Sequence, residues 1–420
     1  MVSMMKFFKH MYVRTMRFLN LSAFALLIIG LISCGSKHNT TVEKASTFNV
    51  DAQLDYCLSQ AEKTLAMIPK DSLFPRTINQ GSTQWRFVEK DDWTSGFWPG
   101  TLWYLYEYSK DEKWRAQADR YSRFLTSLSQ NPPLDHDIGF QMFCSFGNGY
   151  RLTGNPEYKE IINKSAKQLT TLYNKNVGTI LSWPREVPNM EWPHHNTIMD
   201  NMMNLELLLW SAENGGDPNF RKIAIDHAET TMNNHFRDDF TSYHVVIYDR
   251  ETGEKIKGVT HQGLADDSMW ARGQSWAIYG YTLMYRMTGD VRYLDFAQKV
   301  TDVYLSRLPK DKIPYWDFSA KVNADTPRDA SAAAVTASAL LELATFVKGD
   351  KREEYLQSAK VMLEELSSER YQSRAENNAF LLHSTGHFPA GSEIDASINY
   401  ADYYYVEALI RLKRLNTGSM

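Results

Sequence analysis

The stretch from Thr260 to Tyr279, Thr-His-Gln-Gly-Leu-Ala-Asp-Asp-Ser-Met-Trp-Ala-Arg-Gly-Gln-Ser-Trp-Ala-Ile-Tyr, gathers the side chains from which a ligand site is built. His261, Gln262, Arg272 and Gln274 offer hydrogen-bonding groups, and Trp270 and Trp276 offer flat walls. Asp266, Asp267 and Ser268 are ordinary helix caps, but capping leaves the remaining residues unexplained. Arg272 and Trp276 are four positions apart and share a helix face, so a planar guanidinium and a ring can meet the same ligand.

Acid/base chemistry needs carboxylates, and two stand out. Asp137 opens a helix in His136-Asp-Ile-Gly-Phe140, where the dipole and the free amides favour an anion, so it is expected to ionise readily. Asp200 lies in Asn196-Thr-Ile-Met-Asp-Asn-Met-Met-Asn-Leu205, read as a polar residue inside an apolar helix that continues to Trp210 and shares a face with Asn204. Few waters and many apolar neighbours would raise its pKa and keep it protonated. Two carboxyls held in opposite protonation states make the pair that glycoside cleavage uses. Asp92-Trp93-Thr-Ser-Gly-Phe-Trp98-Pro-Gly100 adds glycines that admit a ligand to the backbone and two more ring walls, and His244 can donate a hydrogen bond. Taken singly, each is also a common cap or core residue. The histidines lack metal-site spacing, and no phosphate loop, nucleophile elbow or cysteine pair is present, so neither metal nor cofactor is indicated.

The elements that must position these groups are helical. A turn signal followed by an aromatic recurs at Lys110-Asp111, Gly154-Asn155, Gly216-Asp217, Gly289-Asp290 and Gly349-Asp350. Glycine fits the left-handed end of one helix and Asp or Asn caps the next. Periodicity predicts helices at 51–68, 97–109, 112–129, 138–153, 156–174, 198–214, 218–235, 268–288, 290–308, 329–347, 350–367 and 398–414. Short turns then alternate with long connections, so all the long loops, and with them the Trp, His and Asp residues, fall at one end. Six such hairpins close into an (α/α)6 barrel or stack as an open solenoid. Tyr243–Tyr248 and Lys255–Val259 read as a small β-hairpin over the loop end.

With 43% hydrophobic and 23% charged residues, the 420-residue chain has a globular composition, and a net charge of -4 leaves no basic footprint for nucleic acid. Lys6, Lys9, Arg14 and Arg17 precede an apolar run, Leu21–Ile32, too short for a membrane span. Leu31-Ile32-Ser33-Cys34-Gly35 looks like a bacterial lipobox, which implies a signal peptide over 1–33, lipidation of Cys34, a polar tether over 34–48 and a catalytic domain over 49–416. The implied location is the periplasm or the outer membrane. Cys57 and Cys144 read as buried free thiols.

Eight motifs in order resemble glycoside hydrolase family 88, the unsaturated glucuronyl hydrolases. They begin at Trp93, His136, Asp200, His244, Thr260, Asp267, Pro327 and Ala401 and span roughly residues 50–415. The resemblance implies an (α/α)6 barrel acting on oligosaccharides that lyases leave with a C4=C5 unsaturated uronic acid at the non-reducing end. It implies Asp200 as general acid and base and Asp137 as the second catalytic carboxylate. It further implies that Trp93, His136, His244, Gln262, Arg272 and Trp276 contact substrate, with the Arg272 fork a partner for the uronate carboxylate. Segments 183–195 and 383–397 match less clearly. Rival readings are an unsaturated galacturonyl-rhamnose hydrolase and a carbohydrate-binding lipoprotein without catalysis.

Overall fold

Ala330–Phe346 carries Ala or Ser at most of its early positions and no charge before Glu342, a helix with no face for water. A computed structural model, which describes residues 48–70, 72–188 and 190–418, shows how such segments are used. The signal segment, Cys34 and the tether up to residue 47 lie outside the described residues.

The helices are α1 (Val50–Met67), α2 (Phe97–Ser109), α3 (Glu112–Phe124), α4 (Ile138–Met142), α5 (Asn148–Thr153), α6 (Pro156–Thr170), α7 (Asn201–Glu213), α8 (Asn219–Asn234), α9 (Ala271–Thr288), α10 (Val291–Arg307), α11 (Ala330–Phe346), α12 (Gly349–Leu366) and α13 (Asn399–Thr417). Helices α2, α4 with α5, α7, α9, α11 and α13 form an inner ring, each packed on the next, and α13 returns to α2 and closes it. Outside it lie α1, α3, α6, α8, α10 and α12, which completes an (α/α)6 barrel. Closure, rather than an open solenoid, lets the inner helices bury every face. On α11 all residues from Ala330 to Ala344 are buried, and small side chains there let α9 and α13 approach.

The short turns follow the expected chemistry. Gly154 and Gly289 end α5 and α9 with φ of 65° and 72°, and Asn155 and Asp290 cap the next helices by accepting from Glu157 N and Arg292 N. Lys110 does the same work without being glycine, at φ 58°. The segment expected as one helix over 138–153 is instead α4 and α5 joined by a π-helical turn, Phe143–Gly147.

The long connections carry the strands β1 (Phe74–Ile78), β2 (Arg86–Val88), β3 (Tyr173–Asn174), β4 (Thr179–Ile180), β5 (His195–Ile198), β6 (Val245–Tyr248), β7 (Lys255–Val259) and β8 (Ser397–Ile398). The expected hairpin is β6 and β7. It gains β5 as a third antiparallel strand, with Asn196 opposite Ile247 and Val246 opposite Gly258. His-Asn-Thr-Ile reads as polar, yet all four residues of β5 are buried. The Thr179 hydroxyl satisfies His195 Nε2 at 2.9 Å and the Thr197 hydroxyl at 2.8 Å. Among the described residues no helix is long and apolar enough to cross a membrane.

Candidate active site

At the long-loop end a cavity of about 460 Å3 is lined by Trp93, Asp137, Asp200, Gln262 and Arg272. Five of the side chains singled out in the sequence thus converge, four drawn from separate connections between helices and Arg272 from the first turn of α9. His136, His244 and Trp276 stand one layer behind them, almost wholly buried.

Strand β5 ends at Ile198, so α7 cannot begin before Asn201, and Asp200 sits at the helix N-cap rather than in its interior. Met199 N donates to His244 O at 2.9 Å and ties this corner to the covering sheet. His244 Nδ1 accepts from both His261 N and Gln262 N at 3.2 Å. Its proton must then be on Nε2, which points at Asp200 Oδ1 from 3.7 Å. The same logic fixes His136. Asn204 Oδ1 accepts from Phe140 N at 2.8 Å, so the Asn204 amide NH2 faces His136 Nδ1 at 2.8 Å. His136 Nε2–H is left for Asp137 Oδ1, 3.5 Å away. Each carboxyl therefore faces a neutral imidazole N–H, at a distance too long for a hydrogen bond. Burial pushes His136 down to about 3 and His244 well below its usual range, so neither is a cation near neutrality.

Burial raises the Asp200 carboxyl to about 7, with Arg272 and the Trp276 indole pulling in the opposite direction. Arg272 cannot overcome the desolvation because its charge is already engaged. Its Nη1 lies 2.6 Å from Asp329 Oδ2, and it donates to the Thr385 and Gly386 carbonyls, each at 2.6 Å. The fork expected to be free for a substrate carboxylate is thus largely used inside the protein. Trp276, expected as a wall, packs against Phe140 and Tyr404 with ring centroids at 5.5 and 5.4 Å and supports Asp200 from beneath.

Asp137 differs from its sequence expectation. Burial, and then the neighbouring Asp135 and Asp200, push its carboxyl well above the usual range, so it is not the readily ionised partner. The helix it precedes, α4, has five residues, and the Asp137 side chain caps nothing. Its backbone N–H goes instead to Asp135 Oδ1 at 3.1 Å, while Asp135 Oδ2 pairs with Arg185 at 3.2 Å. A short helix supplies little dipole against a nearby negative charge.

The sequence profile of Glycosyl Hydrolase Family 88 matches residues 71–419. The chain belongs to that family. An unsaturated glucuronyl hydrolase of Formosa agariphila is 39% identical over 399 residues, covering 93% of this chain and 98% of the relative. An unsaturated chondroitin disaccharide hydrolase of Streptococcus agalactiae is 34% identical, covering 86% of this chain and 91% of the relative. The crystal structure of an unsaturated glucuronyl hydrolase specific for heparin, 39% identical, superposes with a TM-score of 0.83 over 88% of this chain and 98% of that one. The chain is a glycoside hydrolase.

Family-level motifs did not point to every residue at this site. Asp135, Arg185, Arg76, Glu393, Tyr400 and His387 also line the cavity. Asp135 had one available signal, its position two residues before Asp137, where an Asx side chain reaches the backbone N–H ahead of it. Arg76 and Glu393 come from β1 and from a loop 317 residues later and meet at 2.8 Å, a pairing that no local pattern announces. Gln274, grouped with the ligand-binding side chains by sequence, is a buried latch that accepts from Ser242 N and donates to Phe240 O, both at 2.9 Å. Among the described residues, no three His, Cys, Asp or Glu side chains are placed to hold a metal ion.

Proposed function

We propose that Asp200 and Asp137 remove the 4,5-unsaturated glucuronyl unit from the non-reducing end of lyase-made glycosaminoglycan fragments by hydrating its vinyl ether. The observation that carries this is the Asp200 carboxyl, buried, raised to about 7 and facing the cavity beside a second carboxyl and in front of a neutral His244. Such an acid keeps its proton below neutrality and gives up a usable base when it delivers it.

Asp200 transfers its proton to C4, and positive charge spreads over C5 and the ring oxygen. The resulting Asp200 carboxylate takes a proton from water, whose oxygen bonds to C5. The hemiketal then opens, the aglycone leaves with its hydroxyl restored, and the sugar is left as a 5-keto, 4-deoxy acid. Asp137 faces the same cavity, and positive charge developing at C5 favours its anion over its acid form. Trp93, tilted over Tyr400 at 5.2 Å, offers a ring wall for the sugar, and Gln262 and the Asp329-paired Arg272 line the same cavity.

The names of the relatives, glucuronyl, chondroitin and heparin hydrolases, support glycosaminoglycan fragments over the galacturonyl-rhamnose alternative. The test is loss of ultraviolet absorbance at the C4=C5 bond on unsaturated chondroitin, hyaluronan, heparin and pectin fragments. Decay with wild type and none with Asp200→Asn supports the reading, and decay confined to pectin fragments would move it to the rival substrate. The N-terminal lipobox supports a lipoprotein held at the membrane through Cys34, in the periplasm or on the outer membrane. Cys34→Ala is expected to move the protein from the membrane to the soluble fraction.

A further inference from the structure

The inner helices run from the catalytic end toward the short turns, and their later residues enclose a second cavity, of about 420 Å3, at the opposite end of the barrel. Tyr150 on α5, Trp210 on α7, Arg286 on α9 and Arg411 on α13 line it. Among the described residues it shares no lining side chain with the catalytic cavity. Phe140 and Tyr404, in its wall, pack against Trp276 and divide it from Asp200. The π-helical turn Phe143–Gly147 forms another part of the wall, and such turns are rare and gather at functional sites. The volume is within the range of ligand sites.

The charges around this cavity are spent on one another. Arg151 lies 2.6 Å from Glu107, Arg286 2.5 Å from Glu342 and Arg411 2.8 Å from Glu342, while Arg414 pairs with Glu107 and Glu206 with Arg286. With Glu407 beside Arg411, four arginines meet four glutamates, so the balance favours neither an anion nor a cation. The groups left unspent are aromatic and uncharged. Tyr404 is 2% exposed, yet among the described residues its hydroxyl has no hydrogen-bond partner. The Trp210 indole N–H and the Tyr150 hydroxyl are also without one, and the Trp210 ring lies 5.1 Å from Tyr150 and 6.1 Å from Phe143. Buried tyrosine and tryptophan ordinarily find a partner for their polar tips. Ring faces beside two hydroxyls and an indole donor suit a ligand with a flat C–H face and hydroxyls of its own. An ammonium group would leave the indole donor idle, and a carboxylate would find each lining arginine already paired.

We propose that this cavity is a second binding site, separate from the catalytic one, for a single uncharged pyranose. Its test is calorimetric titration of the purified protein with glucose, N-acetylglucosamine, glucuronate and choline, in wild type and in Trp210→Ala, Tyr404→Phe and Trp93→Ala. Saturable binding of at least one of the two uncharged sugars is expected in wild type, with glucuronate and choline roughly tenfold weaker or more. Trp210→Ala is expected to raise Kd about tenfold, the worth of one ring wall. Tyr404→Phe keeps the ring and its packing, and is expected to raise Kd about fivefold for the lost hydrogen bond. Trp93→Ala, in the catalytic cavity, is expected to leave Kd unchanged. Binding that weakens in Trp93→Ala but not in the other two variants belongs to the catalytic cavity and overturns the proposal. Glucuronate or choline bound as tightly as the sugars, or no saturable heat from either sugar, overturns it as well. None of these outcomes bears on the hydrolase reading.

Discussion

Asp200 carries the sharpest consequences at the scale of single residues. Its carboxyl is raised from 3.8 to about 7, so the folded state holds its proton more tightly than the unfolded chain. The stability this gives is complete below pH 3.8 and is lost as pH rises through about 7. That rise corresponds to about 4 kcal/mol, an upper bound for a site that can relax. Asp200→Asn is therefore expected to lower turnover by roughly 100-fold or more, the worth of a general acid. The same variant should melt at a higher temperature than wild type at pH 8 and at the same temperature at pH 4. An equal difference in Tm at both pH values would refute the assignment. For the same reason kcat/KM of wild type should fall as pH rises through about 7, where the acid form of Asp200 is lost. Asn204→Ala probes the imidazole donors. It leaves Phe140 N and His136 Nδ1 without partners, and is expected to cost about 1–3 kcal/mol in denaturant melts as well as to lower kcat.

The element that positions both carboxyls is the crossing of α4 and α7. Gly139 on α4 lies so close that a Cβ there would overlap the Asn204 side chain. Gly139→Ala is expected to lower Tm and kcat together, because the methyl group must push α4, and Asp137 with it, away from α7. A variant with normal Tm and activity would show that the two helices can slide. Much at this scale was legible in the chain. The caps at Asn155 and Asp290 and the hairpin of β6 and β7 are local features, decided by neighbours a few residues apart. The start of α7 was not legible, because the helix expected from residue 198 begins only at Asn201, after His195–Ile198 has paired with β6.

Across the whole molecule, the barrel axis is pinned by one buried acid. Glu407 on α13 accepts from Tyr104 on α2 at 2.7 Å and Tyr279 on α9 at 3.0 Å, and from Ser338 on α11 at 2.5 Å. Glu407→Ala strands three hydroxyl donors at once, while Arg411 keeps Glu342 at 2.8 Å, and is expected to cost about 1–3 kcal/mol, read as a fall in the urea midpoint, while protein still folded keeps its kcat. A loss below about 1 kcal/mol would show that water replaces the carboxylate readily. The alternation of short turns and long loops, the apolar inner helices and the gathering of Trp93, Asp137, Asp200, Gln262 and Arg272 at one end follow from periodicity and capping, which the sequence determines by itself. Protonation and availability were decided only by the tertiary structure. Asp137 is raised by burial and by Asp135 and Asp200, and Arg272 is occupied by Asp329, 57 residues away in the chain. Burial and the charge of spatial neighbours set those properties, and neither exists until the barrel closes.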